Sequence, residues 1–331
     1  MTIQTFLSKL RAYVLLIAII CGLLVFLSFH NLEFLAPIKP LAHKAYQFLP
    51  FCLFLILFLA FLRINFRQML PRKWHLYSVL LQLVVSIGLV GYIHFYNPSS
   101  TVLLSGALVC IITPTAASAS VITGKLGGCQ SSLTTYILVS NFACALGIPL
   151  LFPFITNKLD LSFLEEFFLI LKHIFPMIIF PLILAFIIKI FFKKLSDFIV
   201  MHTKDWGFYL WAMMLFVLSA KTFSNIVNSH CSLIEIFKMA AIGFLCTAAQ
   251  FALGKIIGNF EGQRISAGQG LGQKNMLFGV WVAITYLSPT VAIVPGTYIL
   301  WQNLVNAFQM YKREKMVSMW AKNGVQPYQE N

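Results

Sequence analysis

Charge is what this chain has least of. Only 10% of its 331 residues are Asp, Glu, Lys or Arg, against roughly a quarter in an ordinary soluble domain, while 59% are hydrophobic. A water-soluble core cannot absorb that excess, so an ordinary soluble fold is excluded. The ten acidic residues all lie outside the long apolar runs or at their ends. No GxSxG, HExxH or P-loop occurs, and the seven cysteines (Cys21, Cys52, Cys110, Cys129, Cys144, Cys231 and Cys246) contain no CxxC pair. They sit mostly inside apolar runs, where a thiol reads as a small buried hydrophobe. His173, His202 and His230 lie near run ends without metal-ligand spacing. Enzymatic, nucleotide-driven and metal-dependent chemistry therefore lacks its residues, and no cofactor is expected.

What is present in quantity is apolar sequence in long blocks. A helix rises about 1.5 Å per residue, so crossing a hydrocarbon core roughly 30 Å thick takes about 17 to 25 apolar residues. Ten such spans are predicted, over 12–29, 48–65, 76–96, 101–124, 131–155, 166–192, 206–227, 234–258, 265–287 and 290–311. The first lacks a small-residue cleavage site and is read as retained rather than as a secretory signal. The expected fold is thus an all-α polytopic membrane protein in a lipid bilayer, with no connection long enough for a soluble enzymatic domain.

The net charge of +14 comes from lysines and arginines scattered through the short connections, not from one basic module, so membrane topology explains it and nucleic acid is not an expected partner. With the amino terminus in the cytoplasm, Arg63, Arg72, Lys73, Lys125, Lys193, Lys194, Lys312 and Arg313 all fall inside, together with most other basic residues. Positive charge gathers on the cytoplasmic side, so both termini are predicted cytoplasmic and the membrane to be the cell inner (plasma) membrane. Lys221 and Lys274 remain within spans; Lys221 lies near an end and can snorkel.

Two spans are interrupted: LVCIITPTAASASVITGKLGG in the fourth and RISAGQGLGQKNMLFGVWVA in the ninth. Pro114 removes a backbone donor and obstructs the preceding turn, while Gly268, Gly270 and Gly272 weaken helix and permit either close approach or positive φ. Matching interruptions five spans apart imply two five-span halves, 1–160 and 161–331, the second inverted relative to the first. Backbone groups freed at a break cannot face lipid, so both segments should line protein or a water-filled cavity. A second reading remains open, in which Pro and Gly only kink and pack these helices.

Residues 270–303, GLGQKNMLFGVWVAITYLSPTVAIVPGTYILWQN, and residues 113–128, TPTAASASVITGKLGG, resemble the bile acid:sodium symporter family around its Gln-Asn pair, its Val-Pro-Gly element and its fourth-span crossover. The resemblance covers nearly the whole chain in layout. It implies ten spans with discontinuous, crossing helices 4 and 9, a mobile core and a panel domain, and symport of an organic anion with sodium. The chain departs from the pattern where sodium-coupled members bind the ion. Gly270 stands in place of a ligating glutamate and Lys274 in place of the glutamine, and only Asn275 matches. An ammonium group carries one positive charge and three donors, so Lys274 is read either as a permanent replacement for sodium, as a proton-coupling group, or as a brace for the crossover.

Thr115, Ser118, Ser120 and Thr123 on the fourth span, Asn141 on the fifth, Gln273 and Asn275 beside Lys274, and Asn303 with Gln302 on the tenth are candidate neutral ligands for substrate or ion. Each is equally readable as interhelical glue. The expected function is alternating-access transport of a small or amphipathic organic anion, with altered or absent sodium coupling. The alternatives are a sodium symporter using neutral ligands and a nontransporting receptor or scaffold.

Overall fold

The computed structural model describes residues 3–32, 37, 44, 47–64, 69–156, 161–203, 206–228 and 231–330. Every major element is a helix: α1 (Ile3–Asn31), α2 (Leu49–Leu62), α3 (Lys73–Tyr96), α4 (Thr101–Ile112), α5 (Ala119–Leu126), α6 (Gln130–Leu151), α7 (Phe163–Phe191), α8 (Lys193–His202), α9 (Trp206–Asn228), α10 (Leu233–Asn259), α11 (Arg264–Gly272), α12 (Met276–Val282) and α13 (Ile293–Lys322). A single wide π-turn, Ala283–Leu287, extends α12. Among the described residues there is no strand, only one isolated bridge between Thr115 and Lys274.

Among the described residues, five helices are long and apolar enough to cross a membrane: Lys73–Tyr96, Gln130–Phe154, Phe163–Phe191, Trp206–Val227 and Leu233–Asn259. Shorter apolar helices cover Ile17–Asn31, Leu49–Leu62, Thr101–Ile112 and Met276–Leu287. The polarity of α3 is inside out relative to a soluble helix. Ser78, Gln82 and Ser86, four residues apart, are buried, whereas Leu80, Val84 and Ile87 are exposed, Val84 to 64%. Outward Leu and Val with inward Ser and Gln is the pattern expected when the surrounding solvent is hydrocarbon. The chain is consistent with an all-α membrane protein.

The helices gather into two units. One holds Met1–Arg63 and Phe180–Ser232; the other holds Ile64–Ile179 and Leu233–Asn331, so α7 contributes its two ends to different units. In the first unit α1 lies along α9, and Gly22 makes the approach close: a Cβ there would stand 2.8 Å from Ser219 Cβ and 2.9 Å from the Phe216 carbonyl oxygen. The end of α2 is tied by Lys189, whose Nζ donates to the Leu62 carbonyl at 3.0 Å. Arg63 donates to the Thr203 carbonyl at 2.7 Å.

In the second unit α10 and α11 form a tight antiparallel hairpin. Gly262 takes φ 66° at the turn, which L side chains rarely adopt, and Gln263 N donates back to the Gly258 carbonyl at 2.8 Å. A Cβ on Gly254 would collide with the Ala267 carbonyl and come within 2.9 Å of Gly268 Cα. Gly268 continues the seam, since a Cβ would meet Lys255 Cγ at 2.7 Å, whereas Gly270 faces α6, where a Cβ would come within 2.8 Å of the Tyr136 ring. Small residues let backbones approach where lipid supplies no hydrophobic drive between helices.

Of the ten acidic residues, Glu33, Asp160 and Asp205 lie outside the described residues, as do the interhelical basic residues Arg67, Lys158 and Lys204 and the span-end His230. Glu165 and Glu166 occupy the first turn of α7, and Glu235 the first turn of α10, where a carboxylate complements the helix dipole.

Gly254→Ala drives its new methyl into backbone that cannot yield, at a cost of about 1–3 kcal/mol for overpacking. The apparent melting temperature of the purified protein in detergent is expected to fall. Gly88→Ala meets no atom within 4 Å and is expected to leave it unchanged or slightly raised; equal behaviour of the two variants would contradict the α10–α11 seam.

Candidate functional site

The fourth apolar segment breaks after Ile112 and resumes as helix at Ala119; the ninth breaks after Gly272 and resumes at Met276. The two breaks lie against each other. Ala116 N donates to the Gln273 carbonyl at 2.9 Å, and Asn275 N donates to the Pro114 carbonyl at 2.8 Å, a short antiparallel pairing centred on Thr115 and Lys274. Each break thus satisfies part of the backbone that the other exposes. All of the residues described below belong to the second unit.

A helix leaves its last four carbonyls without intrahelical partners, and for α4 these belong to Val109, Cys110 and Ile112, which are buried, and to Ile111, which is half-buried. Each has a donor. Thr113 donates to Val109 O through its backbone N–H at 3.2 Å and its hydroxyl at 2.6 Å. Gln250 Nε2 donates to Cys110 O at 3.2 Å, Lys274 Nζ to Ile111 O at 3.1 Å, and Gln82 Nε2 to Ile112 O at 2.8 Å. At the end of α11, Thr115 Oγ1 donates to Gly270 O at 2.6 Å and Tyr298 OH to Gly272 O at 2.7 Å.

Lys274 is 1% exposed, among the largest fully buried side chains. Its ammonium also donates to Gln82 Oε1 at 3.1 Å. Gln82 therefore serves both groups at once, its amide nitrogen facing a carbonyl and its oxygen facing the ammonium, which fixes the orientation of the amide. The backbone N–H of Lys274 donates to Gln302 Oε1 at 3.0 Å. Two oxygens around Nζ, both at or beside the negative end of a helix dipole, make this a cation's position, and the cation is supplied by the chain.

The other expected ligands divide into two groups. Thr115, Ser118, Gln273 and Asn275 come together at the break. Gln273 Nε2 donates to Ser118 Oγ at 3.1 Å, Thr115 N donates to Ser140 Oγ at 3.0 Å, and Asn275 Oδ1 caps α12 by accepting from Phe278 N at 3.5 Å. Ser120, Thr123, Asn141 and Asn303 stand apart from this pairing. Ser120 shares a hydrogen bond with Thr134 at 3.1 Å. Asn141 and Asn303 each donate back into their own helix, to Ile137 O and Ile299 O, both at 2.7 Å. Thr123 Oγ1, Asn141 Oδ1, Gln250 Oε1 and Gln273 Oε1 are buried without a hydrogen-bond partner in the protein.

Pro114 lies in the first break. Gly268, Gly270 and Gly272 lie within α11, and none has positive φ. Their role is close approach: Gly270 fits beneath the Tyr136 and Trp74 rings, and a Cβ on Gly272 would strike the Phe251 ring. The second break is instead made by Gln273, with φ −96° and ψ 91°, and its neighbours. Gln82, Ser140, Gln250 and Tyr298 were not among the expected site residues. Gln82 and Gln250 did carry a signal, since each is a lone amide inside an otherwise apolar run (LLQLVV and TAAQFAL).

Lys274→Met removes the donor while keeping a long apolar stem, so Ile111 O and Gln82 Oε1 lose their shared partner. Each orphaned buried acceptor costs about 1–3 kcal/mol, and the apparent melting temperature in detergent is expected to drop. Gln82→Leu should lower it as well, and the double variant by less than the sum, because both substitutions break the same network. Strict additivity would show that Lys274 and Gln82 do not interact. No protein-family model matches this chain and no curated protein matches it, so its function has to be read from its own side chains.

Proposed function

We propose that the chain is a secondary transporter that moves a small or amphipathic organic anion by alternating access. In this reading it is a divergent relative of the bile acid:sodium symporters, with ten spans in two inverted five-helix repeats, multi-pass in the plasma membrane with both termini cytoplasmic. The observation that carries it is the pairing of two interrupted helices, five predicted spans apart, through Ala116, Gln273, Asn275 and Pro114. Discontinuous helices meeting at one point are how such carriers build a site within the bilayer.

The two-unit division supports the same reading. Spans one and two, with the end of six and all of seven, fall in one unit; spans three to five and eight to ten fall in the other. Each five-span half is thus cut into two and three at nearly the same place, as a core and a panel domain built from repeats would be. The anionic substrate is what the resemblance to the bile acid:sodium symporters implies, and it is supported by Lys274 and by the amino ends of α5 and α12, which emerge from the breaks.

Sodium coupling is altered or absent in this proposal, because the Lys274 ammonium holds carbonyl and amide oxygens that an ion would otherwise use. A second reading, sodium symport through neutral ligands, is favoured by the unpartnered buried oxygens of Thr123, Asn141 and Gln273. Purified protein in liposomes, offered a panel of organic anions under separate sodium and pH gradients, distinguishes the two. Uptake indifferent to sodium is expected; strict sodium dependence would transfer the assignment to the neutral-ligand symporter, and no uptake of any anion would favour a receptor or scaffold. Lys274→Ala should insert normally yet transport at least about tenfold more slowly, as loss of one charge-assisted contact of about 1.5–3 kcal/mol implies, without rescue by sodium. Normal transport by that variant would remove Lys274 from the mechanism.

A further inference from the structure

α10 packs along both α11 and α13, and the latter two are joined by side-chain amides. Gln269 Nε2 donates to Asn306 Oδ1 at 3.0 Å and to Gln309 Oε1 at 3.4 Å. Both partners therefore present their oxygens to Gln269, and their amino nitrogens, Asn306 Nδ2 and Gln309 Nε2, are buried without a hydrogen-bond partner in the protein. Asn306 is only 3% exposed. Buried donors of this kind are costly unless something accepts from them. Gln269 Oε1 is the one acceptor left over in the same cluster.

Each of the three helices also brings a cation. The Lys255 stem lies across Gly268, the residue beside Gln269: a Cβ on Gly268 would stand 2.7 Å from Lys255 Cγ and 3.3 Å from Cε. Arg264 precedes Gly268 by one turn on the same face of α11, and both Arg264 and Lys312 of α13 lie within electrostatic reach of Lys255. Lys312 stands three residues beyond Gln309 and rests on the Phe308 ring at 4.5 Å. Among the described residues none of the three cations is ion-paired. The carboxylates bordering α11 are engaged elsewhere. Glu261 accepts from Trp74 N at 2.9 Å, and Glu330 caps α11 by accepting from the backbone N–H groups of Ile265 and Ser266. Glu314 follows Lys312 by two residues, so it projects from about the opposite side of α13. Three like charges brought together repel, and the free amide donors between their helices suit the same kind of group, an anion.

We propose that Lys255, Arg264 and Lys312, with the amino groups of Asn306 and Gln309, bind the phosphate group of an anionic phospholipid. Ammonium and guanidinium donors make charge-assisted hydrogen bonds to phosphate oxygens, and basic pockets between membrane helices take anionic headgroups. Ile256 and Phe308, exposed next to Lys255 and Lys312, supply apolar surface for acyl chains, which free phosphate would not use. A hydroxylated headgroup such as that of phosphatidylglycerol also offers Gln269 Oε1 a donor. The site goes beyond the transport proposal, and its test does not depend on any solute being moved.

Native mass spectrometry of the full-length protein in detergent, titrated with phosphatidylglycerol, should show a lipid bound about tenfold more tightly than phosphatidylcholine. Lys255→Met and Arg264→Gln should each weaken that binding about tenfold, as expected for losing a hydrogen bond to a charged group. Lys322→Met, which removes an exposed lysine farther along α13, should leave it unchanged. Asn306→Asp keeps the oxygen that Gln269 bonds and replaces the donor by a second oxygen, so it should weaken binding at least as much. Its melting temperature without lipid shows whether it has folded, and Arg264→Gln, at an exposed position, tests the site without disturbing the interior. Inorganic phosphate should not displace the lipid; displacement would overturn the lipid assignment in favour of a free-phosphate site. Phosphatidylglycerol bound no better than phosphatidylcholine, or equal losses in Lys255→Met and Lys322→Met, would overturn the proposal.

Discussion

The second unit depends on one constraint, namely that helix carbonyls ending inside an apolar structure must find donors. Once α4 stops at Ile112, four carbonyls converge in a region where an unsatisfied polar group costs several kcal/mol. The chain brings donors from four other elements: Gln82 from α3, Gln250 from α10, Lys274 from the second break, and Thr113 from the break itself. Packing of these helices is therefore specified by polar contacts as much as by shape. That accounts for an amide buried in the middle of α3 while leucines and valines of the same helix are exposed.

Gathering those donors requires close backbone approach, and small residues supply it. Gly254 and Gly258 on α10 meet α11 backbone, Gly270 fits under Trp74 and Tyr136, and a Cβ on Gly106 would overlap the Val294 side chain. The glycines of GQGLG therefore act differently from Pro114. Proline ends a helix by removing a donor and crowding the preceding turn; these glycines stay helical and let other elements come within reach of the helix end. The break that follows them starts where Gln273 leaves helical geometry to pair with Ala116.

Much of this was legible in the sequence, for identifiable reasons. Apolar block length indicated membrane helices, and Pro114 marked the first interruption through local backbone chemistry; the second was expected at Gly268, Gly270 and Gly272, which stay helical, and it begins one residue beyond them at Gln273. The partners of Lys274 were not legible, since Gln82 and Ile111 lie 192 and 163 residues away from it and no periodicity relates them. The role of Asn303 shows the opposite difficulty. A polar residue beside Trp301 is an apparent cavity ligand, yet its amide donates to Ile299 one turn back, an option always available to a side chain of that length. Glu330 left no trace at all, because a capping carboxylate 65 residues from the helix it caps cannot be distinguished in sequence from a solvated tail residue.

A cation delivered by a side chain differs physically from one that binds and leaves. A bound sodium ion couples transport to a gradient because the site's occupancy changes through the cycle, and the two conformations differ in their affinity for it. An ammonium tethered to the second break cannot be exchanged, so it contributes the same electrostatic stabilisation to α4 in every state in which Ile111 and Gln82 remain its partners. While it stays protonated, it supplies structure without supplying a driving force. A carrier organised around Lys274 would then run downhill with its substrate or draw on another gradient, and the proton is the one such ion an amine can release without leaving the site.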